Sequence, residues 1–172
     1  APIVQLGMTP VIIDCEPVHF GISPSDLEKA HEEQPIDYLI NVSVLGFPGS
    51  SEEVCDWSEA LGIPTLQDNC ESFGSQGRIW SLSCLGNVNT WSLYFGHHIS
   101  TIEGGMITTD NETMYHLLLM LRSHGWIRDL PQEQQKKYCQ NYNLDSFTAK
   151  YKFWEPGFNF RNTEIGAFLG LR

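Results

Sequence analysis

The chain has 172 residues, 41% hydrophobic and 18% charged, with a net charge of -11. That is the size and composition of one globular domain with a core of its own, not of a disordered chain. Only ten lysines and arginines oppose 21 acids, a balance that repels phosphate backbones and anionic lipid and so argues against nucleic-acid and membrane-surface roles.

From the N-terminus, Ala1-Pro2-Ile3-Val4 has no basic segment leading into a long apolar core, so no signal peptide is expected. No apolar run reaches the roughly 18 residues of a membrane span. Val11–Ile13, after Pro10, reads as a short buried strand ending at Asp14. Ser25-x-x-Glu28 is a capping box that opens a short helix. Tyr38 to Leu45 reads as a second strand, closed by Gly46-Phe47-Pro48-Gly49. Ser50-x-x-Glu53 opens another helix, with Val54, Trp57 and Leu61 on one face and Gly62 in the C-terminal cap position. Thr65 to Asp68, Val88 to Phe95 and Met106 to Thr109 are predicted as the third, fourth and fifth strands. A helix follows from about Glu112 to Ser123, carrying Met114, Leu117, Leu118 and Leu121.

The stretch from about Trp126 to Phe153 is polar without a clear period and reads as a surface excursion or partner contact. Arg161 to Leu171 resumes a helical pattern. Strands alternating with helices predict an α/β domain with a mainly parallel sheet. The five cysteines, Cys15, Cys55, Cys70, Cys84 and Cys139, are odd in number and scattered, with no C-x-x-C pair and no histidine at zinc-ligand spacing. Reduced thiols in a cytoplasmic protein without a metal site are the expectation.

Ligands of open α/β sheets collect beyond the carboxyl ends of the strands. Three segments are predicted to arrive there: Gln67 to Ser72, Ser92 to His98, and Ile102 to Gly105. A carboxylate at Asp68, ending a buried strand, needs a cationic or hydrogen-bonding partner. Taken alone, such an Asp more often caps a helix or holds a loop. His97-His98 alone reads as a polar loop, since adjacent side chains of an extended chain point to opposite sides and do not chelate one metal. Glu103-Gly104-Gly105 alone is a plain turn. The residues themselves support a cleft with a carboxylate, a histidine base and a glycine turn.

The string Asp68-Asn69-Cys70-Glu71-Ser72-Phe73-Gly74, then Leu85-Gly86-Asn87-Val88, then Ser92 through Gly105, resembles the nucleotide-sugar aminotransferase family of fold-type I pyridoxal-phosphate enzymes. Gly7-Met8-Thr9-Pro10-Val11 and Gly157 to Ile165 resemble its flanking segments. The resemblance implies a three-layer α/β/α fold, with residues 1–172 forming part of the cofactor-binding large domain. The family's N-terminal phosphate-binding segment and C-terminal small domain would lie outside the chain. It implies that Asp68 pairs with the pyridine nitrogen of pyridoxal 5'-phosphate, that Ser92 holds the phosphate, and that Glu71 and His98 belong to the cofactor site.

One departure directs the expected activity. The aminotransferases carry, five residues after that serine, the lysine that binds the cofactor covalently; here the position is His97. Histidine there resembles the sugar 3-dehydratase branch, which implies deoxygenation of a nucleotide-linked 4-keto-6-deoxy sugar. The CDP-sugar dehydratases add cysteines for an iron–sulfur cluster of about four thiolates, and beyond Ser123 to Asp129 this chain has only Cys139. The cluster-free GDP-sugar branch is therefore the better match. In it pyridoxamine 5'-phosphate would meet the C4 ketone, and His97 would act as base and then acid as the C3 hydroxyl leaves. L-glutamate would recharge the cofactor. The resemblance also implies a homodimer, with His98 and the segment from Phe158 to Arg161 as candidates to reach the neighbouring subunit's site. Two rivals stand beside this reading: an aminotransferase using another lysine, although none occurs between Lys29 and Lys136, and a non-catalytic scaffold or partner subunit.

Overall fold

Proline at position 24 decides where the first long helix begins. A proline suits the first helical position because its missing N–H would have no helical partner there. In the computed structural model the helix runs Pro24–Glu33, capped by Ser23, whose hydroxyl accepts from the Asp26 amide at 3.4 Å. The expected box at Ser25 and Glu28 is thus displaced by two residues. The structure describes residues 1–78, 81 and 85–172, so Cys84 lies outside the described residues. The chain divides into two compact units, Ala1–Thr108 and Thr109–Arg172.

The N-terminal unit contains α1 (Pro2–Gln5), α2 (Pro24–Glu33), α3 (Ser51–Ala60) and a four-stranded sheet. Its strands are β1 (Leu39–Val42), β2 (Thr65–Asp68), β3 (Val88–Ser92) and β4 (Gly105–Thr108), lying in that order. β1, β2 and β3 are parallel and β4 is antiparallel to β3, so the sheet is mainly parallel, as expected. Leu27, Leu39, Val54 and Ile63 form the core between α2, α3 and the sheet, with Ile13, Ile22, Ile36 and Trp57 packed against it. Burying each such aliphatic side chain contributes about 1.5–3 kcal/mol. On the other face of β1, Ile40 and Val42 stay exposed.

Several expected elements are corrected. No strand forms at Val11–Ile13; Ile12 is exposed, and nearby only Cys15 and Ile22 make an isolated bridge. A strand needs a ladder partner, and none is offered there among the described residues. β1 is shorter than expected because Leu45 and Gly46 turn away at φ values of 54° and 80°. Ser50 occupies the cap position of α3 without capping it, since its hydroxyl donates to the Ile22 carbonyl instead. Leu61 is exposed rather than on the buried face of α3. β3 stops at Ser92, three residues early, where the chain enters the turn that returns to β4.

The C-terminal unit holds α4 (Glu112–Arg122), α5 (Gln132–Asn141), α6 (Ser146–Ala149) and α7 (Glu164–Gly170). The stretch expected to be a surface excursion builds this unit's core. Met120, Ile127, Leu130 and Ala149 are buried together, with Leu119, Tyr138, Leu144 and Trp154 against them. Apolar residues scattered over two short helices and their turns give no single period, yet they converge once folded. Asp145 starts α6 by accepting from the Phe147 and Thr148 amides, both at 2.9 Å.

Candidate active site

The site region begins with a row of buried amides. Asn41, Gln67 and Asn89 occupy successive positions across β1, β2 and β3, all facing inward. Asn41 donates to Gln67 Oε1 at 2.8 Å and to Ser51 Oγ at 3.0 Å. Gln67 in turn donates to Ser43 Oγ at 2.8 Å. Asn69 donates to Asn89 Oδ1 at 3.0 Å and accepts from Ser72 Oγ at the same distance. Asn41 Oδ1 alone in this row is buried without a partner among the described residues; the bonds the other groups make fix the register of the strands that carry them. The network escaped sequence reading, although polar residues at inward positions of three adjacent strands were its signal.

Asp68 stands between Gln67 and Asn69, so alternation directs its side chain to the opposite, half-buried face. Its Oδ1 accepts from the Cys70 amide at 3.1 Å and from Thr90 Oγ1 at 3.4 Å. Thr90 is its register partner on β3, a contact the sequence reading missed. Burial pushes the Cys70 thiol up to about 12, aided by its hydrogen bond to Asp68 and the charges of Asp68 and Glu71, against a lowering contact with Thr90. At neutral pH this sulfur is a protonated donor toward Asp68 rather than a nucleophile. Ser92, two residues beyond Thr90 and on the same face by alternation, accepts from the Tyr94 amide at 3.2 Å.

Beyond Ser92 a tight excursion carries the histidines. Leu93 accepts from the Thr101 amide at 3.0 Å and donates to the Gly104 carbonyl at 2.9 Å, closing the loop. Gly104 has φ of 151°, and a Cβ there would lie 2.8 Å from Thr101 Oγ1, so the predicted glycine turn requires glycine at this position. Ile102, a β-branched residue, is held at φ of 74°, an uncommon conformation that tends to occur at functional sites.

His97, His98 and Glu71, with Leu45 and Gly96, line one depression. The His97 ring stands 5.6 Å from that of Tyr94. Glu71 Oε2 accepts from the Leu45 amide at 2.7 Å. Of the sequence-predicted residues, the structure therefore brings Glu71, His97 and His98 together. It places Asp68 and Ser92 at the carboxyl ends of neighbouring strands, on one sheet face but not in that lining. The donor set suits a phosphorylated pyridine: a carboxylate for a protonated ring nitrogen, and a hydroxyl and imidazoles for an anion.

The model of the DegT/DnrJ/EryC1/StrS aminotransferase family matches residues 1–172. The GDP-4-keto-6-deoxy-D-mannose 3-dehydratase of Yersinia pseudotuberculosis is 33% identical over 170 residues, which is 99% of this chain and 42% of that protein. A crystal structure of a GDP-4-keto-6-deoxymannose-3-dehydratase mutant with bound GDP-perosamine superposes with a TM-score of 0.83 at 30% identity, covering 99% of this chain and 43% of that one. A structure of the same enzyme with a trapped PLP-glutamate geminal diamine has a TM-score of 0.82 at 30% identity and the same coverage. The chain spans about two fifths of the length of these relatives. The chain belongs to the DegT/DnrJ/EryC1/StrS aminotransferase family.

Proposed function

We propose that this chain supplies part of the cofactor-binding large domain of a nucleotide-sugar 3-dehydratase. The enzyme would remove the C3 hydroxyl of a GDP-linked 4-keto-6-deoxy sugar with pyridoxal or pyridoxamine 5'-phosphate, and L-glutamate would be the amino donor. The carrying observation is His97: an imidazole lines the depression at the position where an aminotransferase needs a primary amine. The relatives' names and bound ligands support the same substrate and donor classes.

The cofactor, when bound, supplies an electron sink for carbanion chemistry. Asp68, steadied by the Cys70 amide and Thr90, accepts a hydrogen bond from the ring nitrogen and keeps it protonated. Ser92 would hold the phosphate, and Glu71 and His98 would border the cofactor. With the cofactor bound, an imidazole nitrogen of His97 would serve as the base for the proton at its C4′ carbon and as the acid for the departing C3 oxygen. Lacking a lysine at this position, the protein holds the cofactor without a covalent bond. Dialysis is expected to strip the cofactor from it, and borohydride to leave no adduct. A reduced cofactor attached to any lysine would overturn the reading.

The working unit in this proposal is a cytoplasmic homodimer. Phe158 and Phe160, stacked 5.0 Å apart and both exposed, support a partner contact in their unit. No helix among the described residues is long and apolar enough to cross a membrane. Sedimentation is expected to give a dimer at micromolar concentration; an active monomer would exclude it.

A further inference from the structure

We propose, resting on the cofactor-site reading above, that Glu71 acts on the site through Leu45. Its carboxylate clamps the turn after β1, so that Leu45 stands as a fixed apolar wall of the depression bearing His97 and His98. Glu71 is in this sense a positioning residue.

Leu45 holds φ of 54°, a region that side-chain-bearing residues enter at a cost. Leu45 is 68% exposed, so hydrophobic burial does not compensate that cost. The contact that does is the 2.7 Å hydrogen bond from the Leu45 amide to Glu71 Oε2, strengthened by the carboxylate's charge. Its partners lie 26 residues apart, so the bond lashes the loop after β1 to the loop after β2.

The rest of the turn is fastened to the same segment. Ser43 donates its amide to the Asp68 carbonyl at 3.1 Å and accepts from buried Gln67 at 2.8 Å. Gly46 fits closely: a Cβ there would lie 3.1 Å from Ser75 Oγ and 3.3 Å from the Glu71 carbonyl. The wall thereby inherits its position from the β2 strand end, the same segment that aims Asp68. Leu45 is the apolar side chain among the lining residues, alongside a carboxylate and two imidazoles, and it suits the carbon surface of a heteroaromatic ligand.

The test compares Glu71→Gln, Glu71→Ala, Leu45→Gly and the double variant Glu71→Ala with Leu45→Gly. Two quantities are read: hydrogen exchange of the residue-45 amide in the ligand-free chain, and the Kd for pyridoxamine 5'-phosphate. Glu71→Gln keeps an acceptor, so exchange and Kd should each move by no more than about threefold. Glu71→Ala should speed exchange of the Leu45 amide and raise the Kd, each by about tenfold. Leu45→Gly should raise the Kd comparably, and the double variant should be no worse than either single change, because clamp and wall are one device. The proposal is overturned if the Leu45 amide stays protected in Glu71→Ala, or if the two losses in affinity multiply. The Kd is read on the complete enzyme that carries this chain; if that enzyme binds no pyridoxamine 5'-phosphate, the cofactor reading fails and the wall's role with it, while exchange still reports on the clamp.

Discussion

His97→Lys is expected to convert non-covalent cofactor retention into covalent attachment. An amine at this position, in the depression shared with Glu71 and His98, should reach the aldehyde carbon of pyridoxal 5'-phosphate. The cofactor should then survive dialysis and be fixed by borohydride to the introduced amine, which peptide mapping locates. Dehydration should fall by about 10²–10⁴-fold, the range contributed by a positioned acid–base group. Lysine's ordinary pKa of about 10.4 leaves it a poor base near neutrality unless its surroundings lower it. Some amino transfer to the keto sugar is a secondary expectation; attachment is the primary one. If the variant binds the cofactor but borohydride fixes none, His97 does not face the reacting carbon, and the role of base passes to His98.

Asp68→Asn is expected to abolish most turnover while leaving the fold intact. The asparagine carbonyl can still accept from the Cys70 amide and Thr90, so the strand end keeps its hydrogen bonds. The charge that stabilises a protonated ring nitrogen is lost, and with it the electron sink. We expect kcat to drop at least about a hundredfold, the scale of losing one preorganised electrostatic contact, with a thermal midpoint close to the parent's. Wild-type turnover in this variant would reduce Asp68 to a loop ligand, the plainer reading of its position.

The parts legible in the sequence were those written in short, local signals. Apolar runs located β1, β2 and β3 near their true positions, because each buries one face and is bounded by turn residues. Gly104 was readable as a turn because its backbone leaves no room for a Cβ. Other local signals misled where a distant group competed for the same atoms. Ser50 has the look of a helix cap, but the Ile22 carbonyl claims its hydroxyl. Val11–Ile13 has strand composition, but among the described residues no neighbouring strand offers a ladder. The core around Ile127, Leu130 and Ala149 was invisible because its members belong to different short elements.

By itself the sequence determined which chemical groups are present and in what order: a carboxylate at Asp68, a hydroxyl at Ser92, and an imidazole at position 97. Those identities are covalent facts, and they narrow the chemistry before any folding is considered. Only the tertiary structure decided which groups meet. It set Thr90 against Asp68 through the β2–β3 register, gathered Glu71 with the two histidines, and tied Glu71 to Leu45 across 26 residues. Contacts of that kind depend on strand register and on buried amides such as Asn41 and Gln67, which form only when distant segments pair.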